Sequence, residues 1–224
     1  MEIRELTPRL RMLRVGGWLL YLWQEGGRQT LIDTGAPGGA EEIAPLVPGL
    51  ERIVLTHFHT DHTGNAEELR TRTGATVIAG AADAAVLRGL DPGAPAVLED
   101  WERPIFERTS AGLPWTVTVT VDVTVTGGET LDFGGSAQVV AVPGHTEGSI
   151  AVYLPRDRVL LTGDAIAETE GRVILGVFNQ DRARTVASFR RLAALDVDVA
   201  CFGHGEPLLS DAGKRLREAA EGLA

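Results

Sequence analysis

All five histidines of the chain lie in short polar loops, and each loop follows an apolar, β-rich segment. His145 follows "VVAV" in "PGHT", His204 follows "VACF" in "GHGE", and the other three fall within "THFHTDHTGN", residues 56–65. Asp164, in "LLTGDA", occupies the same kind of position. Imidazole and carboxylate side chains together are typical ligands of zinc, iron or manganese. The pattern therefore predicts strands that end in metal-binding loops.

The spacing within residues 56–65, called the histidine loop below, favours a site for two neighbouring metal ions. His57, His59 and Asp61 are each two residues apart, so their side chains would project to one side of an extended segment. His62 breaks that parity and is expected to point elsewhere. The arrangement is poor for a single helical site of the H-E-x-x-H type.

A simpler interpretation exists for His145 and His204 taken one at a time. A histidine beside glycine is more often a turn or capping residue than a metal ligand. Nothing structural requires the four groups of H-x-H-x-D-H together, however, so the histidine loop indicates a functional site. Its presence favours ligation by the other two histidines and by Asp164 as well.

The first half of the chain is rich in strands. Three apolar pieces separated by "GG" pairs predict an antiparallel meander, and they are followed by a buried strand, a helix that ends before Gly74 and another strand. The expected strands cover residues 11–15, 18–23, 29–33, 53–55 and 75–80. Valine alternates strictly with threonine or aspartate over residues 117–125, so the piece 115–126 is predicted to be one half-buried strand.

In the second half, strands alternate with helices. Asp181 is a good N-cap for a helix that carries Val186, Phe189 and Leu192 at helical spacing, and a closing helix is expected near Ser210. Strands that dominate early and alternate with helices late suggest sheet layers covered by helices, an α/β (α+β) protein.

Composition and charge limit the function classes. With 224 residues, 44% of them apolar and 23% charged, we expect a single domain over residues 1–224, and two small fused halves are the alternative. The net charge of -10 argues against a nucleic-acid partner, because such binding depends on clustered Lys and Arg. Residues 1–15 lack the apolar stretch of a signal peptide, and no run approaches the roughly 20 apolar residues of a membrane span. We therefore expect no membrane partner.

The single cysteine, Cys201, excludes an internal disulfide and is in keeping with a cytoplasmic location. It lies in the apolar run "DVDVACF" and is expected to pack as a small hydrophobe rather than to bind metal. The expected partner is a small-molecule substrate, and the expected oligomeric state is a monomer or a homodimer.

Five motifs in this order, "LIDTG", "THFHTDHTGN", "PGHTEGS", "TGDA" and "GHGEP", resemble those of the metallo-β-lactamase-fold hydrolase superfamily. The match runs from Leu31 to Pro207. It implies a four-layer αββα sandwich of two mixed β-sheets flanked by helices, with the metal site at one edge between the sheets.

The resemblance also implies a ligand set. It assigns His57, His59 and His145 to a first metal, Asp61, His62 and His204 to a second, and Asp164 to a bridging position. Asp33, in "LIDTG", matches the family's upstream aspartate, which supports the site without ligating; the simpler alternative is a turn-forming aspartate. The implied cofactors are two divalent ions, zinc first, with iron or manganese as alternatives.

The implied reaction is attack of a metal-bound hydroxide on the carbonyl of a small ester, thioester or lactone, with Asp61 as the catalytic residue that orients the hydroxide or transfers a proton. Classical metallo-β-lactamases replace the bridging aspartate with Cys or Ser, so Asp164 favours a glyoxalase II-like or lactonase-like branch. His59 stands where flavodiiron-type oxidoreductases carry glutamate. The first alternative is a mononuclear iron enzyme resembling persulfide dioxygenases. A β-lactam or phosphodiester hydrolase is a less favoured alternative.

Residues 80–114 are a candidate cap or lid insertion. Trp101, Phe106 and Trp115 could form an apolar cap over the pocket, and ordinary core or dimer-interface packing is the alternative for them. For Phe178, a place in the apolar cap and ordinary packing are likewise both open. Arg172 is expected to be a solvated surface residue rather than an anchor for a substrate carboxylate.

Overall fold

The chain forms two mixed β-sheets, each of which combines antiparallel and parallel strand pairs. The computed structural model describes residues 1–223; Ala224 lies outside the described residues. The chain divides into two compact units. Unit 1 contains Met1–Pro92 and Pro114–Thr126, and unit 2 contains Gly93–Leu113 and the residues from Gly127 onward. The candidate cap, residues 80–114, is therefore shared between the two units.

Unit 1 holds a sheet of seven strands that lie in the order of the sequence. The strands are β1 (Glu2–Thr7), β2 (Leu10–Val15), β3 (Trp18–Glu25), β4 (Arg28–Ile32), β5 (Leu50–Leu55), β6 (Thr76–Gly80) and β7 (Val123–Val125). β1 to β4 are antiparallel, and β4 to β7 are parallel. The predicted meander is confirmed as β2 to β4. Its turn between β2 and β3 uses Gly16 and Gly17, both with positive φ, as a two-residue hairpin turn of the right twist requires.

Four short helices accompany this sheet. They are α1 (Ala40–Ile43), α2 (Thr60–Thr63), α3 (Ala66–Thr73) and α4 (Ala84–Leu87). α3 ends as predicted, because Gly74 adopts φ +75° and its N–H bonds back to the Arg70 carbonyl. The core of this unit is aliphatic, and it includes Leu22, Leu31, Ile53, Leu55, Leu69 and Val77.

The prediction of one long strand over residues 115–126 is wrong, since only Val123–Val125 pairs with a neighbouring strand. Two preceding amides bond outside the sheet: the N–H of Val119 donates to the Leu87 carbonyl and that of Thr120 to the Glu67 carboxylate. The valine face is nevertheless largely buried, because Val119, Val121 and Val125 lie in the interior. The sequence pattern thus predicted which side chains are buried, but most of this stretch does not pair with a neighbouring strand.

Unit 2 holds a five-stranded sheet, a two-stranded ribbon and three helices. The helices are α5 (Arg103–Thr109), α6 (Arg182–Ala193) and α7 (Ala212–Glu221). The strands are β8 (Thr130–Leu131), β9 (Ala137–Ala141), β10 (Ile150–Leu154), β11 (Val159–Leu161), β12 (Ile166–Thr169), β13 (Arg172–Leu175) and β14 (Val199–Cys201). The sheet order is β14-β11-β10-β9-β8, and β12 pairs with β13.

Two of the three helices of unit 2, α6 and α7, form where the sequence predicted them. The Asp181 carboxylate accepts a 3.0 Å hydrogen bond from the backbone N–H of Arg184 and so caps α6. Phe189 and Leu192 of α6 pack in one buried cluster with Leu216 of α7. Two mixed sheets accompanied by helices confirm the predicted α/β class. Within residues 1–223, no helix combines the length and the apolar character that crossing a membrane requires.

Candidate functional site

The histidine loop lies in unit 1, directly after the buried end of β5. It does not stay extended: His59 has extended dihedrals (φ -62°, ψ 145°), and Thr60–Thr63 then forms the single turn of α2. The expectation that His62 points elsewhere is wrong, because its ring centroid lies 4.2 Å from that of His57. A helical turn rotates successive side chains by about 100° rather than the 180° of a strand, and this brings His62 back toward His57.

Nitrogen and oxygen atoms of the loop lie at distances that suit metal ligands. Nε2 of His57 lies 3.1 Å from Nδ1 of His59, with the two rings nearly perpendicular. Nε2 of His62 lies 3.6 Å from Oδ2 of Asp61. Two ligands of one tetrahedral zinc ion, with metal–nitrogen distances of about 2.0–2.1 Å, lie about 3.3 Å apart. The donor set and its spacing therefore fit a divalent ion.

Asp33 follows β4 with φ +59° and is buried beneath the histidine loop. Its Oδ2 lies 2.8 Å from Nδ1 of His62 and accepts a 2.8 Å hydrogen bond from the Thr56 hydroxyl. Its Oδ1 accepts from the Thr56 N–H at 2.8 Å. The Thr56 hydroxyl in turn lies 3.0 Å from Nδ1 of His57. One carboxylate thus orients His62 directly and His57 through Thr56.

A second buried carboxylate, Asp83, supports the same loop. Asp83 lies three residues after β6 and is 2% exposed, and its Oδ2 accepts a 3.0 Å hydrogen bond from the N–H of Phe58. Phe58 stands between His57 and His59, so this bond holds the backbone that carries both imidazoles. Asp83 was not predicted from the sequence. The available signal was an aspartate soon after an apolar strand, the feature that marked Asp164.

The remaining candidate ligands lie together in unit 2. Asp164 sits in a 3₁₀ turn (Gly163–Ala165) after β11, and His204 follows β14, which is the parallel neighbour of β11. Neighbouring parallel strands bring the loops at their ends side by side. Oδ2 of Asp164 accordingly lies 3.2 Å from Nε2 of His204 and 3.6 Å from Nε2 of His145.

His145 is held on its other side by the loop that follows β13. Its Nδ1 lies 3.0 Å from the carbonyl oxygen of Val177, and its own carbonyl accepts a 3.1 Å hydrogen bond from the N–H of Gln180. Its side chain is 1% exposed, whereas that of His204 is 40% exposed. The ring of His145 is therefore fixed, and its Nε2 faces Asp164.

The structure thus brings the predicted residues together in two groups, one in each unit. Unit 1 gathers Asp33, His57, His59, Asp61 and His62, and unit 2 gathers His145, Asp164 and His204. All of these side chains except that of Asp33 belong to groups of histidine and aspartate residues that could hold a metal ion.

The other singled-out residues lie in different surroundings. Burial raises the pKa of the Cys201 thiol, which suits a hydrophobic residue and not a ligand. Arg172 is largely exposed and pairs with Glu170 at 3.6 Å.

Trp115 packs in unit 1 with its ring centroid 5.5 Å from that of His59. Phe106 and Phe178 pack together in unit 2 at 5.1 Å, and Trp101 is 59% exposed.

Sequence comparison relates the chain to known proteins. A model of the metallo-beta-lactamase superfamily matches residues 16–204. The uncharacterized protein YobT of Bacillus subtilis (strain 168) is 30% identical over 216 residues, which cover 89% of this chain and 87% of that protein. The hydroxyacylglutathione hydrolase of Rhodobacter capsulatus is 32% identical over 207 residues, 89% of this chain and 66% of that enzyme. The chain spans about half to two thirds of the length of the hydroxyacylglutathione hydrolases that it matches.

Solved structures share the fold. The metallo-beta-lactamase family protein TTHA1429 from Thermus thermophilus superimposes with a TM-score of 0.69 at 26% identity, covering 97% of this chain and 78% of that one. The BLEG-1 B3 metallo-beta-lactamase gives a TM-score of 0.71 at 23% identity, covering 88% and 92% of the two chains. The second likeness is one of fold alone.

Proposed function

Because the chain belongs to the metallo-β-lactamase superfamily, we propose that it is a metal-dependent hydrolase that cleaves a small thioester, ester or lactone at a binuclear centre. One observation carries the proposal. In His57, His62 and His145 alike, Nδ1 lies within 3.0 Å of an oxygen atom and Nε2 faces another candidate ligand. Such partners fix the tautomer and direction of a ligating imidazole.

In this proposal His57, His59 and His145 would hold a first ion, Asp61, His62 and His204 would hold a second, and Asp164 would be a ligand of both. The ions are zinc, with iron or manganese as the alternatives. The ligand distances within each group, together with the mixed nitrogen and carboxylate donors, support this assignment. Asp33 is the supporting residue that keeps His62, and through Thr56 also His57, in the ligating orientation.

Divalent ions bound here would lower the pKa of a water molecule and polarise the substrate carbonyl. The chain itself supplies the proton transfer. The Asp61 side chain is partly open to solvent, and its carboxylate takes the proton of the attacking water and returns it to the leaving thiolate or alkoxide. The products are a carboxylic acid and a thiol or an alcohol, or one hydroxy acid from a lactone. Asp61 is the proposed catalytic residue.

Among the substrates, a thioester comes first, because the hydroxyacylglutathione hydrolase of Rhodobacter capsulatus is a relative over 89% of this chain. The proposal does not extend to glutathione recognition, since a third or more of that enzyme's length has no counterpart in the match. We also propose a cytoplasmic monomer or homodimer, a single domain over residues 1–224, and a cap role for residues 80–114. The aromatic contacts of Phe106 with Phe178 support the last point.

Metal analysis combined with a substrate panel tests this function. The purified chain is expected to hold two zinc ions and to hydrolyse an acyl thioester faster than an ester, a lactone, a β-lactam or a phosphodiester. Arg172→Ala is a suitable control, because that side chain is exposed and outside the proposed site. One iron per chain with thiol-dependent oxygen uptake, or cleavage of the phosphodiester alone, would overturn the proposal.

A further inference from the structure

Glu102 is a buried carboxylate in unit 2 that the proposed reaction does not use. It precedes α5 and is 4% exposed. Resting on the proposed metal role of His145, we infer that Glu102 is a positioning residue that orients this imidazole through a single peptide group, the one between Val177 and Phe178. Glu102 itself touches neither substrate nor metal.

Both oxygens of the Glu102 carboxylate accept hydrogen bonds from backbone amides. Oε1 accepts from the N–H of Phe178 at 3.0 Å, and Oε2 accepts from the N–H of Glu99 at 2.9 Å. A buried carboxylate is costly unless such bonds compensate for its lost hydration, and bonds to an ionised acceptor are among the stronger ones. The Glu102 side chain therefore fixes the Phe178 amide firmly.

The opposite end of the same peptide group binds His145. The Val177 carbonyl oxygen lies 3.0 Å from Nδ1 of His145, while the N–H that follows it in the chain points to Glu102. The peptide is planar, and in the trans form its C=O and N–H point in opposite directions. Rotation of this peptide would break both bonds together, so Glu102 determines where the carbonyl oxygen stands.

The backbone at this peptide needs such support. Phe178 adopts φ +60°, a left-handed conformation that is uncommon for a bulky residue. The segment that carries Glu102 makes two further hydrogen bonds to this loop: the backbone N–H of Val97 donates to the Asn179 carbonyl at 2.9 Å, and the side-chain amide of Gln180 donates to the Ala94 carbonyl at 2.7 Å. Hydrogen bonds thus link residues 94–102 of the candidate cap to the loop that holds His145.

The charge of Glu102 adds to this geometry. A carboxylate at the N–H end polarises the peptide and makes its carbonyl a stronger acceptor for the imidazole N–H. A ligating histidine whose opposite nitrogen donates to a strong acceptor is a better metal ligand. Loss of Glu102 is expected to weaken zinc retention and to lower kcat more than it raises KM.

The test compares the zinc-loaded full chain with Glu102→Ala, Glu102→Gln and the control Glu107→Ala, an exposed position on α5. The measurements are the rate of zinc transfer to a chelator and the solvent-exchange rate of the His145 Nδ1 proton by ¹⁵N NMR. We expect Glu102→Ala to release the zinc about tenfold faster and to exchange this proton faster. Glu102→Gln keeps one acceptor oxygen, so its rates of zinc release and proton exchange should lie between those of Glu102→Ala and wild type. If Glu102→Ala folds poorly, Glu102→Gln is compared with Glu107→Ala in its place.

The inference is overturned if Glu102→Ala melts at a lower temperature but matches Glu107→Ala in zinc release and proton exchange, since the residue would then be structural only. It is also overturned if the wild-type chain binds no zinc. A chain that binds zinc but hydrolyses no member of the substrate panel refutes the proposed function alone. The Glu102 comparison still decides the inference in that case.

Discussion

Oδ2 of Asp33 lies 2.8 Å from Nδ1 of His62, and both side chains are buried. The aspartate belongs to the turn after β4 and the histidine to the helical turn after β5, so two parallel strands bring them together. A carboxylate in this position accepts from the Nδ1–H form of the imidazole and directs Nε2 toward Asp61.

Asp33→Asn is therefore expected to lower zinc affinity about tenfold or more, because the amide is a weaker acceptor for His62 and for the Thr56 hydroxyl. Asparagine tolerates the φ of +59° at this position, so the variant removes the charge without adding backbone strain. Competition with a zinc chelator measures the affinity. Asp100→Asn, at a fully exposed position, is the control, and equal affinities in the two variants would contradict the assigned role of Asp33.

Asp83 is expected to matter for stability as well as for the site. Asp83→Ala leaves the buried N–H of Phe58 without its acceptor, which should lower the free energy of unfolding by about 1–3 kcal/mol. Zinc affinity should fall too, because Phe58 lies between two candidate ligands. Urea unfolding and chelator competition measure the two effects. Asp83→Asn retains an acceptor oxygen and should recover much of the lost stability. If Asp83→Ala were as stable as wild type, this role of Asp83 would be refuted.

Asp61→Asn tests the proton transfer. The amide can still ligate through oxygen, so the variant is expected to retain both metals while turnover of a thioester falls by about 10²- to 10⁴-fold. Metal content and kcat are measured on the same preparation. Full turnover with both metals in place would show that Asp61 transfers no proton.

Cys201 predicts a pH dependence of stability. Burial in β14 raises the pKa of its thiol, so the folded chain keeps the proton that the unfolded chain loses above about pH 8.5. The folded state then binds more protons, and stability should fall with rising pH by up to about 1.4 kcal/mol per pH unit relative to Cys201→Ala. Urea unfolding of both proteins from pH 7 to pH 10 checks this. If the free energy of unfolding changed with pH equally in the wild type and in Cys201→Ala, the predicted contribution of the thiol would be contradicted.

The sequence predicted the elements whose signals are local. The "GG" pairs identified the meander, Gly74 the end of α3, and Asp181 the start of α6, because each depends on the conformation or capping of one short stretch. The candidate ligands were likewise visible, since histidine and aspartate loops followed apolar strands.

What the sequence did not reveal depends on contacts between distant segments. The valine alternation of residues 115–126 predicted burial. Two backbone amides of this stretch, however, donate to a helix end and to the Glu67 side chain, and no local pattern encodes these partners. The helical turn at Thr60–Thr63 was hidden by the two-residue spacing of the ligands. Asp83 and Glu102 were missed because each supports a loop through a backbone amide 25 or 76 residues away.

The bond from Val177 to His145 uses a backbone oxygen, and the bond from Phe178 to Glu102 uses a backbone nitrogen. Neither depends on the side chains at these two positions. Position 177 should therefore accept a wide range of residues without loss of zinc, and position 178 should favour Gly or Asn, which adopt φ +60° readily. Substitutions at these two positions that preserve the backbone conformation should leave the hydrogen bonds around His145 unchanged.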